Sequence, residues 1–219
     1  MATSIEDTYE LELVPIAIGG KRLEIYRVEN LDCIVNALNQ EPGDSTKKFP
    51  FWVKVWEASL LLSNHLLKMD LEKKIKILEI GAGMGVTGLF LGVLGYDVTI
   101  TDYDEDALAL IKMNVEHNGL NNVSVRRLDW NNPDLKESFN IICGSELIYN
   151  EASIHPIIRL FKTYLRPQGT IFMAHDIKRK YFMQLIGMVK DRFKIETIQT
   201  RLRSKDETHR IVIHILNPK

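Results

Sequence analysis

The stretch Ile75-Lys76-Ile77-Leu78-Glu79-Ile80-Gly81-Ala82-Gly83-Met84-Gly85 decides how the rest of this chain is read. Apolar residues that a strand can bury run straight into three alternating glycines, and Val86 to Leu94 then supplies an apolar segment of helical length. Strand, Gly-rich turn and helix in that order put bare backbone N–H groups and a helix N-terminus at the carboxyl edge of an open α/β sheet. A nucleotide-like ligand fits such a junction.

Downstream, the chain repeats the alternation. Val98 to Thr101 reads as a strand ending at Asp102, and a helix follows with Asp104, Glu105 and Asp106 at its start and Ala107, Leu108, Ile111 and Val115 on its apolar face. Val123 to Leu128 is a third strand, ending at Asp129-Trp130, and Phe139 to Gly144 a fourth, ending at Ser145-Glu146. Ser153 to Leu165 is helical, the Arg166-Pro167-Gln168-Gly169 turn leads into a fifth strand, Thr170 to Ala174, and Lys178 to Arg192 forms the last long helix. Two strands, Phe193 to Thr200 and Arg210 to Leu216, close the chain around the loop Leu202 to His209, too short for a crossover, so they pair antiparallel. Upstream, residues 11 to 28 read as a hairpin around Gly19-Gly20, Leu31 to Leu38 as a helix and Asn39 to Thr46 as a loop; Phe51 to Met69 reads as one apolar helix with Trp52 and Trp56 one turn apart. The expected fold is a mostly parallel α/β sheet with one antiparallel strand near the edge, helices on both faces, and an N-terminal hairpin and helix extension. We divide the chain into this extension, residues 1–50, and a core domain, 51–219.

At 219 residues with 45% hydrophobic side chains the chain can bury a sizeable core. Lys plus Arg number 28 against 29 Asp plus Glu, which gives no reason to expect nucleic acid or an anionic membrane as a partner. Residues 176 to 219 nevertheless carry 11 basic and 5 acidic side chains. Only Cys33 and Cys143 are present, both in apolar company, so neither a disulfide framework nor a zinc site is expected. The N-terminus lacks the basic and apolar regions of a signal peptide, and no apolar run approaches a membrane span, so a cytoplasmic protein is expected. The oligomeric state stays open, with a monomer favoured.

A dinucleotide fingerprint has a small residue at its third position, G-x-G-x-x-G/A, and counting from Gly81 puts Val86 there. The pattern is instead Glu79-x-Gly81-x-Gly83-x-Gly85. A carboxylate just before the turn can hold an ammonium-bearing ligand directly or through backbone and water, and S-adenosylmethionine carries such a group. Asp102, at the next strand end, can accept both ribose hydroxyls; Asp129, at the one after, can take the adenine amine; Trp130 and Trp56 offer flat faces. Asp102 and Asp129 also suit helix or turn caps.

These residues resemble motif I of the class I, seven-strand S-adenosylmethionine-dependent methyltransferases. Within that class, Val55-Trp56-Glu57-Ala58, Leu128-Asp129-Trp130 and Glu146-Leu147-Ile148-Tyr149 are similar to the methyltransferase 16 family, many of whose members are protein lysine methyltransferases. The resemblance spans roughly residues 10 to 217. It implies a Rossmann-like seven-strand methyltransferase sheet and cofactor contacts from Trp56, Glu79, Gly81, Ala82, Gly83, Asp102, Asp129 and Trp130, with Ser145 near the methyl end. It also implies that Glu146 and Tyr149 face the substrate. Many members have Asp where Glu146 stands, and the extra methylene moves the carboxylate outward by about one bond length.

Methyl transfer requires an uncharged nucleophile in line behind the methyl group, and a lysine amine, with a reference pKa near 10.4, must first lose a proton. A neighbouring carboxylate opposes that loss, so Glu146 is assigned to orienting the substrate and Tyr149 to walling the channel, neither as a strong base. Glu146 also fits a strut behind the site, and Tyr149 a packed aromatic. The [N/D]-P-P-[F/Y] tetrad of base and glutamine methylation is absent after strand four, and Cys143 sits in an apolar strand where a thiolate is disfavoured. His175 and Asp176 fall on the same edge and suit either a substrate entrance or an ordinary turn. Arg201, Arg203 and Lys205 predict a substrate with an acidic surface. The expected activity is N-methylation of a protein lysine; the alternatives are a small amine or heterocycle as acceptor, or an S-adenosylmethionine-binding module without catalysis.

Overall fold

The computed structural model describes residues 5–31, 34, 50–72, 74–203 and 207–219. The helix expected over Leu31 to Leu38, the loop Asn39 to Thr46, Cys33 and Lys205 lie largely or wholly outside these residues.

A short helix, α1 (Ile5–Thr8), precedes the hairpin β1 (Leu11–Ile18) and β2 (Lys21–Val28), paired in antiparallel register from Leu11↔Val28 to Ile18↔Lys21. The hairpin docks on a helix of the core. Asn114, fully buried, accepts the Tyr26 N–H at 2.6 Å and donates to the Tyr26 carbonyl at 3.2 Å, while Asn118 brackets Glu24 in the same way. Side-chain amides here replace the neighbouring strand that β2 lacks.

Next come a 3-10 turn, Phe51–Val53, and α2 (Glu57–Leu67), then β3 (Lys76–Glu79), α3 (Val86–Val93), β4 (Asp97–Asp102), α4 (Glu105–His117), β5 (Val123–Arg127) and β6 (Phe139–Ser145). The chain ends with α5 (Ile154–Tyr164), β7 (Leu165–Asp176), α6 (Phe182–Val189), β8 (Phe193–Arg203) and β9 (Thr208–Pro218). Seven strands form one sheet in the order β5-β4-β3-β6-β7-β9-β8. All neighbours from β5 to β7 pair in parallel, and β9 pairs antiparallel with both β7 and β8. The reversed strand therefore lies one place in from the edge, and β8 is outermost.

Alternate residues of the strands feed two cores. Ile77, Ile100 and Cys143 pack with α2, α3 and α4 on one face, whereas Leu78, Ile142 and Met173 pack with α5 and α6 on the other. The carboxyl ends of β3, β4, β6 and β7 share one edge, at Glu79, Asp102, Ser145 and Asp176.

Three elements differ from expectation. The helix expected from Phe51 is broken at Lys54 to Trp56, because Trp56 takes an extended backbone (φ −83°, ψ 138°) and its indole N–H donates to the Phe51 carbonyl at 3.0 Å. Trp52 turns inward onto Tyr9, ring centroids 5.3 Å apart, so the two tryptophans do not share a helix face. Strand β7 begins at Leu165 rather than Thr170: the expected turn is a bulge inside it, with Gln168 at φ 64° and the register jumping from Phe139↔Leu165 to Ile141↔Thr170. Helix α6 starts four residues later than expected, leaving Lys178 to Tyr181 as a separate connection. Among the described residues no helix is long and apolar enough to cross a membrane, and no cluster of metal-binding side chains occurs.

Candidate active site

The glycine turn after β3 is held from two sides. Ala82 N–H donates to the Thr101 carbonyl at 3.0 Å, Gly83 N–H donates to Asp102 Oδ2 at 2.8 Å, and Gly81, Gly83 and Gly85 all have positive φ. Gly81 needs its hydrogen for space as well. A Cβ there would lie 2.7 Å from Leu147 and 2.9 Å from the Trp130 ring, so the indole rests on the turn backbone. Between this turn, the 3-10 segment and the ends of β4 and β6 lies a cavity of about 420 Å³, within the size range of small-molecule sites.

Trp56, Gly81, Ala82, Gly83, Asp102, Asp129, Trp130, Ser145 and Tyr149 all line this cavity. The edge of the sheet thus brings together nine of the eleven residues singled out from sequence. Asp102 is the best prepared of them. Oδ1 accepts the N–H groups of Tyr103 (2.7 Å) and Asp104 (3.1 Å) and Oδ2 that of Gly83, which fixes the carboxylate and opposes the upward pull that burial exerts on its pKa. Asp129 accepts the Asn131 N–H at 2.8 Å, so it caps a turn and lines the cavity at once.

Glu79 and Glu146 are not in the lining. Glu79 is 2% exposed and turns toward α3, where Oε2 accepts the Gly88 N–H at 2.8 Å. Burial drives its pKa up to about 8, against the lowering effect of that hydrogen bond. The residue caps the first turn of α3 from the neighbouring strand and acts on the cavity only through the turn it braces. Its Oε2 faces α3 and not the cavity. Gly88 makes the approach possible, since a Cβ would lie 2.4 Å from Ile100 and 2.6 Å from Glu79 Oε2. The small residue that brings helix and sheet together is therefore Gly88, not the position of Val86.

Glu146, just past β6, adopts φ 55°, a left-handed conformation that a side-chain-bearing residue keeps only where its surroundings enforce it. Its side chain is 3% exposed; Oε1 accepts the Asp176 N–H at 2.6 Å and Oε2 pairs with Arg179 Nε at 2.5 Å. Tyr149 stacks on Phe51 with centroids 5.6 Å apart, and its pKa rises to about 12, through burial first and the Glu146 charge second. Cys143 is buried, and its thiol is pushed well up by burial and by Glu79. His175 is not at the entrance: it stacks on Phe182 at 3.9 Å inside the fold, with Nε2 3.2 Å from His214 Nε2. Sequence reasoning missed Phe51, Gly88 and Arg179; the Lys178-Arg179-Lys180 run beside Asp176 was the available signal for the last.

The cavity suits S-adenosylmethionine in the chemistry of its donors: a fixed carboxylate at Asp102 for vicinal hydroxyls, a second at Asp129 for an amine, and flat walls for a purine. Fold and site define an S-adenosylmethionine-dependent methyltransferase. A precorrin-6y C5,15-methyltransferase from Geobacter metallireducens GS-15 shares the fold with a TM-score of 0.61 at 14% identity, over 74% of this chain and 88% of that one. Residues 43–192 match the model of the lysine methyltransferase family, and the chain belongs to that family. Among its relatives, the protein N-lysine methyltransferase METTL21A of Xenopus tropicalis is 30% identical over 151 residues, 66% of this chain and 69% of that protein. A histidine protein methyltransferase 1 homolog of Dictyostelium discoideum is 33% identical over 160 residues, 69% of this chain but 50% of that protein. The match thus spans half the length of the second relative.

Proposed function

We propose that this protein methylates the side-chain nitrogen of a lysine in a protein substrate, with the cofactor held by Trp56, Gly81, Ala82, Gly83, Asp102, Asp129 and Trp130 and with Ser145 at its methyl end. Bound there, S-adenosylmethionine supplies an electrophilic methyl group on a sulfonium. The observation that carries the reading is the Ser145 to Tyr149 segment, which continues the cavity wall from Ser145 to a phenol ring that packs on Phe51 and is partly exposed.

Asp102 orients through its three N–H bonds, and Glu79 through α3. Tyr149, titrating near 12, keeps its proton at neutral pH, so it serves as wall and hydrogen-bond donor rather than base. Glu146 has both oxygens engaged, and Arg179 offsets its charge, which weakens its tendency to hold an approaching amine protonated. The amine proton then leaves to solvent. An acidic substrate surface belongs to the same proposal: Arg201 pairs across β8 and β9 with Arg210, the Arg210 carbonyl accepts the Ile177 N–H, and both arginines line a shallow cleft beside the connection carrying Lys178, Arg179 and Lys180. A cytoplasmic setting, in which Cys143 stays a buried thiol, completes it.

Methyl-labelled S-adenosylmethionine incubated with the protein and a cell lysate tests the reading, with mass spectrometry locating the label. Label on a lysine side chain supports it; label only on small molecules, or none while the cofactor binds, sinks it. A protein histidine acceptor is the second reading, favoured by the Dictyostelium relative, and the same spectra separate the two.

A further inference from the structure

Strand β8 is the outermost of the sheet, and among the described residues its free side meets no other strand. Its register with β9 runs unbroken from Phe193↔Pro218 to Arg203↔Thr208, and it carries neither the proline nor the bulge that commonly closes such an edge. Glu196, Thr197, Ile198 and Gln199 are all exposed, so both faces of the strand are bare there and its backbone edge can be reached. Side chains alternate along a strand, which puts Arg201 and Arg203 on one face; Arg210, directly opposite Arg201, shares it. Among the described residues none of these three exposed arginines meets a carboxylate, and like charges in direct cross-strand register repel. At the other end of the strand Lys194 is neutralised by Glu196 at 3.3 Å, so the positive charge collects at the end that reaches the cavity's edge of the sheet.

We propose that an extended acidic segment of the protein substrate docks here as an added strand along β8, its carboxylates against Arg201 and Arg203 with Arg210 behind them. This rests on the reading that the acceptor is a protein with an acidic surface. The free N–H and C=O groups of the edge supply affinity, and the arginines supply selectivity: a basic edge repels a second copy of itself and attracts an acidic strand. The ribbon is also fixed relative to the cavity. His209, opposite Leu202, has Nε2 3.7 Å from Glu57 Oε1, and Glu57 directly follows Trp56 in the cavity wall. A strand added outside β8 lies four strand spacings from β6, roughly 19 Å at about 4.8 Å each, and extended chain covers about 3.3 Å per residue. The acidic segment therefore stands no fewer than about six residues along the chain from the methylated lysine.

The probe is an end-blocked, fluorescently labelled decapeptide of alternating Val and Glu, titrated into the full chain and followed by anisotropy. Two further versions carry N-methyl groups on alternate amides, one on the Val residues and one on the Glu residues. Alternate N–H groups point to the same side of a strand, so only one of the two versions loses its bonds to β8. The unmodified peptide is expected to bind, and one methylated version, not both, to bind at least tenfold more weakly. Arg201→Glu combined with Arg203→Glu is expected to weaken the unmodified peptide at least tenfold while S-adenosylhomocysteine affinity stays that of the wild type, since neither residue lines the cavity. No peptide binding, equal binding of the two methylated versions, or full binding to the double variant overturns the proposal. A dimer in sedimentation that the peptide dissociates also overturns it, because the edge then belongs to a second copy. If lysine is labelled in the lysate experiment, any of these results refutes the docking edge alone; S-adenosylhomocysteine binding absent from the wild type, or label absent from lysine, refutes the function proposed above.

Discussion

Replacing Glu79 by Gln isolates the cost of a buried carboxylate. The folded protein holds this proton up to about pH 8, against 4.5 for the free side chain, so between those values the folded state binds more protons than the unfolded one. Stability from this group therefore falls as pH rises through that window and is fully lost above it. At about 1.36 kcal/mol per unit, the difference amounts to roughly 3 kcal/mol at pH 7 and roughly 5 kcal/mol above pH 8. The Gln carbonyl can accept the same Gly88 N–H, so the cap survives while the charge does not. Denaturant titrations from pH 5 to 9 are expected to show the two proteins nearly equal at pH 5 and Glu79→Gln progressively more stable above it. In thermal melts the gap at pH 9 corresponds to roughly 10 °C for a domain of this size. A difference that stays flat across the range, or a wild type more stable at pH 9, would refute the assignment of a mainly desolvated carboxylate.

Asp102→Ala removes the carboxylate that faces the cavity; calorimetry with S-adenosylhomocysteine should show affinity lower by roughly 10- to 100-fold, the loss of charged hydrogen bonds worth about 1.5–3 kcal/mol. Asn114→Ala strips both amide contacts from Tyr26 and leaves its backbone groups unpaired, and urea unfolding should record a loss of about 1–3 kcal/mol. Tyr149→Phe keeps the stack on Phe51; because the phenol titrates near 12, the pH dependence of turnover on the identified substrate should keep its midpoint while the rate falls.

Much of the site was legible because Asp102 and Ser145 close their strands and Gly81 and Asp129 lie two residues past theirs. Strands β4, β5 and β6 lie in one parallel run of the sheet, so the polar side chains at their carboxyl ends, Asp102, Asp129 and Ser145, come to one edge. What the sequence concealed depended on contacts between distant segments. The spacing of Trp52 and Trp56 is that of a helix face, but Trp56 is extended and its indole bonds back to the Phe51 carbonyl, a contact the spacing does not announce. Whether Glu79 looks into the cavity or toward α3 depends on how closely the helix approaches, which Gly88 permits from nine residues away. The Glu146–Arg179 pair joins positions 33 apart, and His175 meets His214 because the antiparallel β7 and β9 place them diagonally on one face.

The reversed direction of β9 has a consequence for how this enzyme can change. Were β9 parallel to its neighbours, the connection from β8 would have to cross to the far edge of the sheet. Running backward, it brings Arg203 and Thr208 to the edge that carries the glycine-turn cavity, yet on strands that contribute nothing to that cavity's lining among the described residues. Inserting residues between those two positions would cost about 0.6 kcal/mol for each doubling of loop length. Insertion and charge exchange at the ribbon's end can therefore proceed while the glycine turn and its carboxylates, half a sheet away, remain as they are.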